Sequence, residues 1–270
     1  MAPDKFKGTL DAIEATQAIA KGLADHARID CVACPVADGG DGTLGVIVSA
    51  TGGQVRSQSV TGPVGEPVDS PVAWLEDGRR VVGMATASGL GLIDASERNA
   101  LTATSFGTGE LLKSALDGAP SGGAVIVGIG GSASTDGGVG AAEANGWGFF
   151  DESGKPIGRG GGALRRLARI ERPLISFLPP APEIIGACDV DSPLTGIMGA
   201  AHGFSAQKGA SPPEVDLLAE GLEVLSHRIE EDLGFDVSRV PGAGAGGGMG
   251  AGLVAFFGAR LVSGFDVVAD

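Results

Sequence analysis

The sequence predicts an α/β fold of alternating strands and helices. Short β-branched apolar runs alternate with stretches of helical period, the 48 glycines among 270 residues fall mostly at the joints between them, and 43% apolar content is enough to fill real cores. No repeat period of about 20–50 residues stands out, so a solenoid is not supported. The glycines follow no collagen period and only 15 prolines accompany them.

The first element is a helix opened by the capping-box pair Asp11 and Glu14, with Ile13, Ile19 and Leu23 sharing one side. Residues 31–36 then read as a strand, followed by the loop ADGGDGT and a helix over residues 44–50 that ends at Thr51-Gly52-Gly53. Strands are expected near residues 55–60 and 68–75, separated by the turn-rich TGPVGEP, and again at 80–85 after Glu76-Asp77-Gly78. The next helix starts near Thr108, puts Leu111, Leu112, Ala115 and Leu116 on one face, and stops at Gly118.

Residues 124–129 (AVIVGI) form the clearest buried strand, a continuous apolar run leading into GGSASTDGG. A strand at 183–188 delivers Asp189 and Asp191 at its carboxyl end. Ser211-Pro212-Pro213-Glu214 supplies an N-cap, first-turn prolines and a capping-box acid for the best helix, whose Val215, Leu218, Leu222, Leu225 and Ile229 make a core-facing stripe rather than a dimer seam; Gly234 closes it. The glycine-rich stretches 158–162 and 242–252 read as ordered or lid-like loops.

A formal charge of −14 opposes binding to nucleic acid or anionic lipid, so neither is expected as a partner. Residues 240–259 carry no charge, but their strongly apolar part starts only at Met249, too short for a bilayer span of about 20 residues. Three cysteines and the charged opening MAPDKFKG fit a reduced, cytoplasmic setting. Cys31 and Cys34 lie three apart in an expected strand and so face opposite ways, while His26, His202 and His227 are isolated; structural roles suit all five. Neither a Walker P-loop nor a nucleophile elbow is present, and the match of residues 242–247 to G-x-G-x-x-G is what any polyglycine run gives.

Glycine-rich joints precede helical patterns at residues 38–43, 106–109, 130–138 and 242–250. Such joints can offer unpaired backbone N–H groups to an anion at the positive end of a helix, with glycine allowing close approach. Asp189 and Asp191, two apart in an extended segment, can turn both carboxylates to one side, where they could take a hydroxyl proton, hold Mg²⁺, divide those tasks, or simply satisfy a turn ahead of Pro193. Asp38, Asp41 and Asp136 sit within glycine loops. Only six lysines occur, and Lys5, Lys7 and Lys208 stand beside glycine motifs, as an anionic substrate requires.

Together these motifs resemble the bacterial glycerate kinases that phosphorylate D-glycerate with ATP. The matching stretches are APDKFKGTL at Ala2, PVADGGDGT at Pro35, ATGG at Ala50, ASGL at Ala87, TSFGTGEL at Thr104, GIGGSASTDGG at Gly128, ACDVDSPLTG at Ala187, QKGA at Gln207 and PGAGAGGGMGAGL at Pro241, in the family's order from one end to the other. The resemblance implies two α/β domains with the active site in the cleft between them: a discontinuous Rossmann-like domain, incomplete here, and an inserted mixed α/β domain. Residues 1–60 would be the first half of the Rossmann-like domain, 61–264 the insertion and 265–270 the return. It also implies Asp189 as general base, Asp191 as its orienting or metal-binding partner, and Lys7 and Lys208 as neutralising charges. Asp38, Ser88 and Lys208 would bind substrate, with Gly131, Ser132, Ser134, Asp136 and Thr108 around the phosphates. ATP and Mg²⁺ are the implied cofactors, with the metal ligands and the oligomeric state left open.

Ser192 stands where the family usually has Asn, and Gly83 where an acidic residue is common. Family members normally carry a strand before the A-P-D motif and continue past the region of Asp270, so a chain truncated at both ends is expected. The alternative function is therefore a catalytically incompetent fragment that still binds a small sugar acid or phosphate.

Overall fold

Six strands in the order β1-β2-β3-β4-β7-β8 make one mixed sheet, and two more, β5 and β6, form a separate antiparallel ribbon. The computed structural model describes residues 1–6, 9–27, 29–120, 122–174 and 182–269. In chain order the strands are β1 (Gly53–Thr61), β2 (Pro67–Leu75), β3 (Arg80–Gly83), β4 (Ala124–Gly128), β5 (Gly148–Phe150), β6 (Arg169–Glu171), β7 (Glu183–Ala187) and β8 (Arg260–Val262). The helices are α1 (Ala12–Ala27), α2 (Thr43–Thr51), α3 (Met84–Ala87), α4 (Phe106–Asp117), α5 (Val139–Ala144), α6 (Ala200–Phe204), α7 (Pro212–Leu233), α8 (Ala245–Phe257) and α9 (Gly264–Ala269).

The first three strands of the sheet are an antiparallel meander, whereas β3, β4, β7 and β8 are mutually parallel. Their carboxyl ends, at Gly83, Gly128, Ala187 and Val262, therefore lie at one edge, the usual place for a ligand in such sheets. Side chains alternate across the sheet. Val82, Val125 and Val127 pack against Leu111 and Leu112 of α4 and Leu253 of α8, while Val81, Ile126 and Ile185 face Ile47 of α2 and the valines of α9.

A second core is organised by α7, whose Leu218, Leu222, Leu225 and Ile229 are fully buried against Leu164, Phe149 and Ile170. The expected capping box is present, with Ser211 N–H and Oγ both donating to Glu214 Oε2 at 2.7 Å, and Gly234 ends the helix in the left-handed region. At α1 the Asp11 and Glu14 pair is reciprocal, with N–H donors at 3.0 and 2.7 Å.

Three expectations are corrected. Residues 31–36 are not an assigned strand. Met1 N donates to Val32 O, Cys34 N to Met1 O and Val36 N to Pro3 O, which is a parallel pattern, but Pro3 has no N–H for the bond that would complete it. The strand expected at 80–85 stops at Gly83, because Met84 begins the short α3, where Thr86 Oγ1 donates to Gly83 O at 2.9 Å. The stretch 242–252 is ordered but not all loop: from Ala245 it is part of α8, with Gly246, Gly247 and Gly248 at φ of 63, 71 and 91° making a largely buried kink. The 158–162 stretch is an ordered loop running into a short 3-10 turn, Gly161–Arg166. β5 and β6 are three residues each and carry no periodic signal.

Replacing the buried Leu222 by Ala is expected to lower unfolding free energy by about 2–5 kcal/mol, while the exposed Glu223→Ala stays within about 0.5 kcal/mol. Urea titrations of both variants beside the parent chain check this.

Candidate functional site

The loops after the parallel strands converge on the carboxyl edge, and close backbone approach holds them there. Residues 38–42 lie across the ends of β4 and β7. Gly39 O accepts Gly130 N–H at 3.3 Å, a Cβ on Gly39 would stand 2.6 Å from Ala187 O, and one on Gly130 would stand 2.7 Å from Gly40 Cα. Asp38 Oδ1 accepts from Lys5 Nζ at 2.7 Å and from Gly40 N–H at 2.9 Å. Partial burial works against both charges, yet this pairing outweighs it, raising the Lys5 ammonium and lowering the Asp38 carboxyl from their ordinary values.

The loop after β4 is tied on its other side to the loop after α3. Leu90 N donates to Gly131 O and Ala133 N to Ser88 O, each at 2.8 Å, so the backbones bridge at Gly89 and Ser132. Ser88 Oγ accepts from Thr108 Oγ1 at 2.9 Å and from Thr108 N at 3.3 Å. Both side chains are fully buried, so they fix the start of α4 against the loop. Gly131 borders Asp41, whose Oδ1 would be 3.2 Å from an added Cβ.

Lys208 is the strongest physical constraint in this cluster. It leaves the short turn Ala206–Lys208 after α6 and is only 2% exposed, and its Nζ donates to Ser132 Oγ at 2.7 Å and Ser134 O at 2.6 Å. Neither partner is charged. Burial pulls the ammonium from its usual 10.5 to about 7, with Asp136 acting in the opposite direction. Close packing completes the arrangement: a Cβ on Gly247 would collide with Ser134 O and stand 2.9 Å from Lys208 Nζ. Thr135 and Ser205 hydroxyls meet at 3.1 Å beside it.

Asp136 is buried and wholly engaged in holding helices. Its Oδ2 accepts from Ser105 N and Ser105 Oγ at 2.8 Å and from Gly140 N at 3.3 Å; Oδ1 accepts from Gly138 N at 3.3 Å; and Ser105 Oγ accepts from Ala141 N at 3.0 Å. One carboxylate thus serves the first turns of α4 and α5, where unpaired N–H groups favour negative charge.

Asp189 and Asp191 are exposed beyond the end of β7. Asp189 Oδ1 accepts from Ser263 Oγ at 2.8 Å, Gly264 N at 2.9 Å and Phe265 N at 3.5 Å, which leaves Oδ2 without a partner among the described residues. Gly264 in turn abuts the Asp38 carbonyl, so Asp189 and the 38–42 loop share one neighbour. Burial pushes the Cys188 thiol up, opposed by its contact with Val190 O, and the charges of Asp189 and Asp191 add to the rise.

The structure therefore brings Asp38, Ser88, Thr108, Gly131, Ser132, Ser134, Asp136, Asp189, Asp191 and Lys208 to one edge of the sheet. Lys7 lies outside the described residues. Sequence reasoning missed Ser105, Ser263 and Gly264, which hold the two aspartates; a Ser before a helical pattern was their only sequence signal. A depression of about 400 Å³, lined by Phe106, Glu110, Lys113, Ser114, Asp117 and Ala144, lies on the outer face of α4 rather than on the buried face that carries Thr108. No helix among the described residues is long and apolar enough to cross a membrane.

Comparison with known proteins identifies relatives of the whole chain. The sequence pattern of the glycerate kinase family matches residues 1–270. A glycerate 2-kinase of Escherichia coli is 45% identical over 99% of this chain and 70% of its own length, and a glycerate kinase of Bacillus subtilis is 43% identical over 100% and 71%. A crystal structure of a protein assigned as glycerate kinase 2 from Salmonella typhimurium superposes with a TM-score of 0.87 at 42% identity, covering 100% of this chain and 72% of that one.

Lys208 gives a pH signature. Below about 7 the ammonium is protonated folded or unfolded; between about 7 and 10.5 the unfolded chain binds the extra proton, so stability rises with pH across that window. The rise from this residue should approach ~1.4 kcal/mol per pH unit. Urea midpoints at pH 7 and 10 are expected to show this component in the parent chain and to lose it in Lys208→Met.

Proposed function

The chain belongs to the glycerate kinase family, and on that footing we propose how its own residues transfer a phosphoryl group from ATP to a hydroxyl of D-glycerate. Phosphoryl transfer asks a protein mainly to position two substrates and neutralise charge. The observation that carries the residue assignment is the meeting of the loops after β3, β4 and β7 with the 38–42 loop at one edge, beside the exposed Asp189.

In this reading Asp189 is the general base. The bonds from Ser263 and Gly264 to Oδ1 orient its carboxylate, and Oδ2 receives the proton of the acceptor hydroxyl as that oxygen attacks the terminal phosphorus and ADP leaves. Asp38 and Ser88 shape the acceptor side, Asp38 as the polar edge of its loop and Ser88 through the loop it anchors. Gly131, Ser132, Ser134, Thr108 and Asp136 form and brace the phosphate side. Lys208, bonded to Ser132 and Ser134, is the substrate-binding cation that meets the carboxylate of D-glycerate, and Lys7 is assigned to charge neutralisation from its sequence motif.

Mg²⁺ fits the donor set, since it is normally held by one or two carboxylates together with substrate phosphates, and the Asp191 carboxylate, separate from the base, is a hard oxygen donor of that kind. When bound it would neutralise phosphate charge. The division into residues 1–60, 61–264 and 265–270 and a cytoplasmic setting remain parts of the same proposal.

Asp189→Asn isolates the base, because the amide keeps an oxygen for the Ser263 and Gly264 donors. ATP-dependent phosphorylation of D-glycerate is expected to fall by about 10²–10⁴-fold with little change in the urea midpoint. Undiminished turnover in this variant removes Asp189 from the role.

A further inference from the structure

Five buried side-chain polar atoms lack a hydrogen-bond partner among the described residues: Thr43 Oγ1, Arg80 Nε, Arg98 Nε, Ser134 Oγ and Asn145 Oδ1. Native proteins leave few such atoms, and each calls for an explanation such as a water, an ion or a ligand. Two are held through their other atoms. Arg80 lies over the Trp74 ring at 4.3 Å and donates to the Gly78, Arg79 and Gly118 carbonyls, and Asn145 Nδ2 donates to Gly109 O and Ala141 O. The remaining three belong to segments packed around the candidate site: Thr43 follows the 38–42 loop, Ser134 lies in the loop after β4, and the backbone of Arg98 abuts Gly209, the residue after Lys208.

Arg98 is the cation of the three. A Cβ on Gly209, the residue after Lys208, would stand 2.5 Å from Arg98 O and 3.0 Å from Arg98 Cβ, so the two segments touch. Five residues earlier in the same loop, Ile93 packs against Ala133, which lies between Ser132 and Ser134. Other arginines are matched by carboxylates, as in Arg79 with Asp77 and Arg165 with Glu220, held by backbone carbonyls, as is Arg80, or, like Arg239, exposed to solvent. Arg98 is half-buried and makes no hydrogen bond, ion pair or ring contact among the described residues, in a chain carrying a formal charge of −14. A guanidinium cannot shed its proton to escape burial, so its unmet Nε donor suits a planar oxyanion, which the Nε and Nη fork can take with two parallel bonds.

We infer that Arg98 is a substrate-binding residue of the phosphoryl-transfer site, taking an oxyanion of one substrate: the carboxylate of the acceptor or a phosphate of the donor. The inference rests on the kinase reading and adds a residue to it. Steady-state kinetics of Arg98→Gln and Arg98→Lys with D-glycerate and ATP varied in turn test it, with thermal melting of each variant alongside. The expected result is a KM for one substrate raised about 10–100-fold in Arg98→Gln, the other KM nearly unchanged, and only partial recovery in Arg98→Lys, whose ammonium lacks the fork. A rise confined to D-glycerate identifies the carboxylate, and one confined to ATP the phosphate. Unchanged KM values for both substrates, or a lowered melting temperature with no selective KM effect, overturn the inference. If the parent chain shows no turnover, the kinase reading itself fails. Calorimetric titration of D-glycerate and of ATP into the parent and Arg98→Gln then decides for Arg98, with no difference in either titration counting against it.

Discussion

Burying a lysine ammonium without a carboxylate at hydrogen-bond distance is the constraint on which the rest of the site depends. Lys208 has exchanged water for the Ser132 hydroxyl and the Ser134 carbonyl, two dipoles that offset only part of the desolvation cost. The Asp136 charge works in its favour, but that carboxylate is already committed to Ser105, Gly138 and Gly140. The outcome is an ammonium held beneath a loop and ready to give up its proton, at about 7 rather than 10.5. An anion arriving at that loop would be stabilised by Lys208 and would in turn restore its proton.

The high glycine content follows from the same packing. A loop drawn tightly over a buried side chain leaves no room for Cβ atoms where backbones meet, as at Gly247 against Ser134 and at Gly130 against Gly40. Backbone packed this closely is rigid, which is the pre-organisation that the proposed anion site requires. The exposed Asp189 is held through Oδ1 by Ser263 and the start of α9, and its Oδ2, unpartnered among the described residues, is the oxygen the proposed mechanism uses as base.

Much of this was legible in the sequence where one local rule dominated. The capping boxes at Asp11 and Ser211, the 3-4 stripe of α7 and the apolar runs of β4 and β7 all appeared where patterning placed them. Reading failed where a distant partner decided. Residues 31–36 lost their strand to the missing N–H of Pro3, about thirty positions away, and β5 and β6 exist only because they pair with each other. The polyglycine of α8 looks like a loop because composition does not record that its backbone is buried against Gly137 and Ser134. At the site, scarcity marked Lys208 and pairing marked Asp189, but no sequence signal revealed that Lys208 is buried or that Asp136 serves two helices.

The central claim is that Lys208 is the buried charge of an oxyanion site, and calorimetric titration of D-glycerate at pH 8 in two buffers of different ionisation enthalpy tests it most directly. The acceptor carboxylate does not titrate at that pH, whereas Lys208, held at about 7, is mostly neutral there. The account predicts net uptake approaching one proton per glycerate bound, lost in Lys208→Met. Binding of D-glycerate with no proton uptake would contradict it.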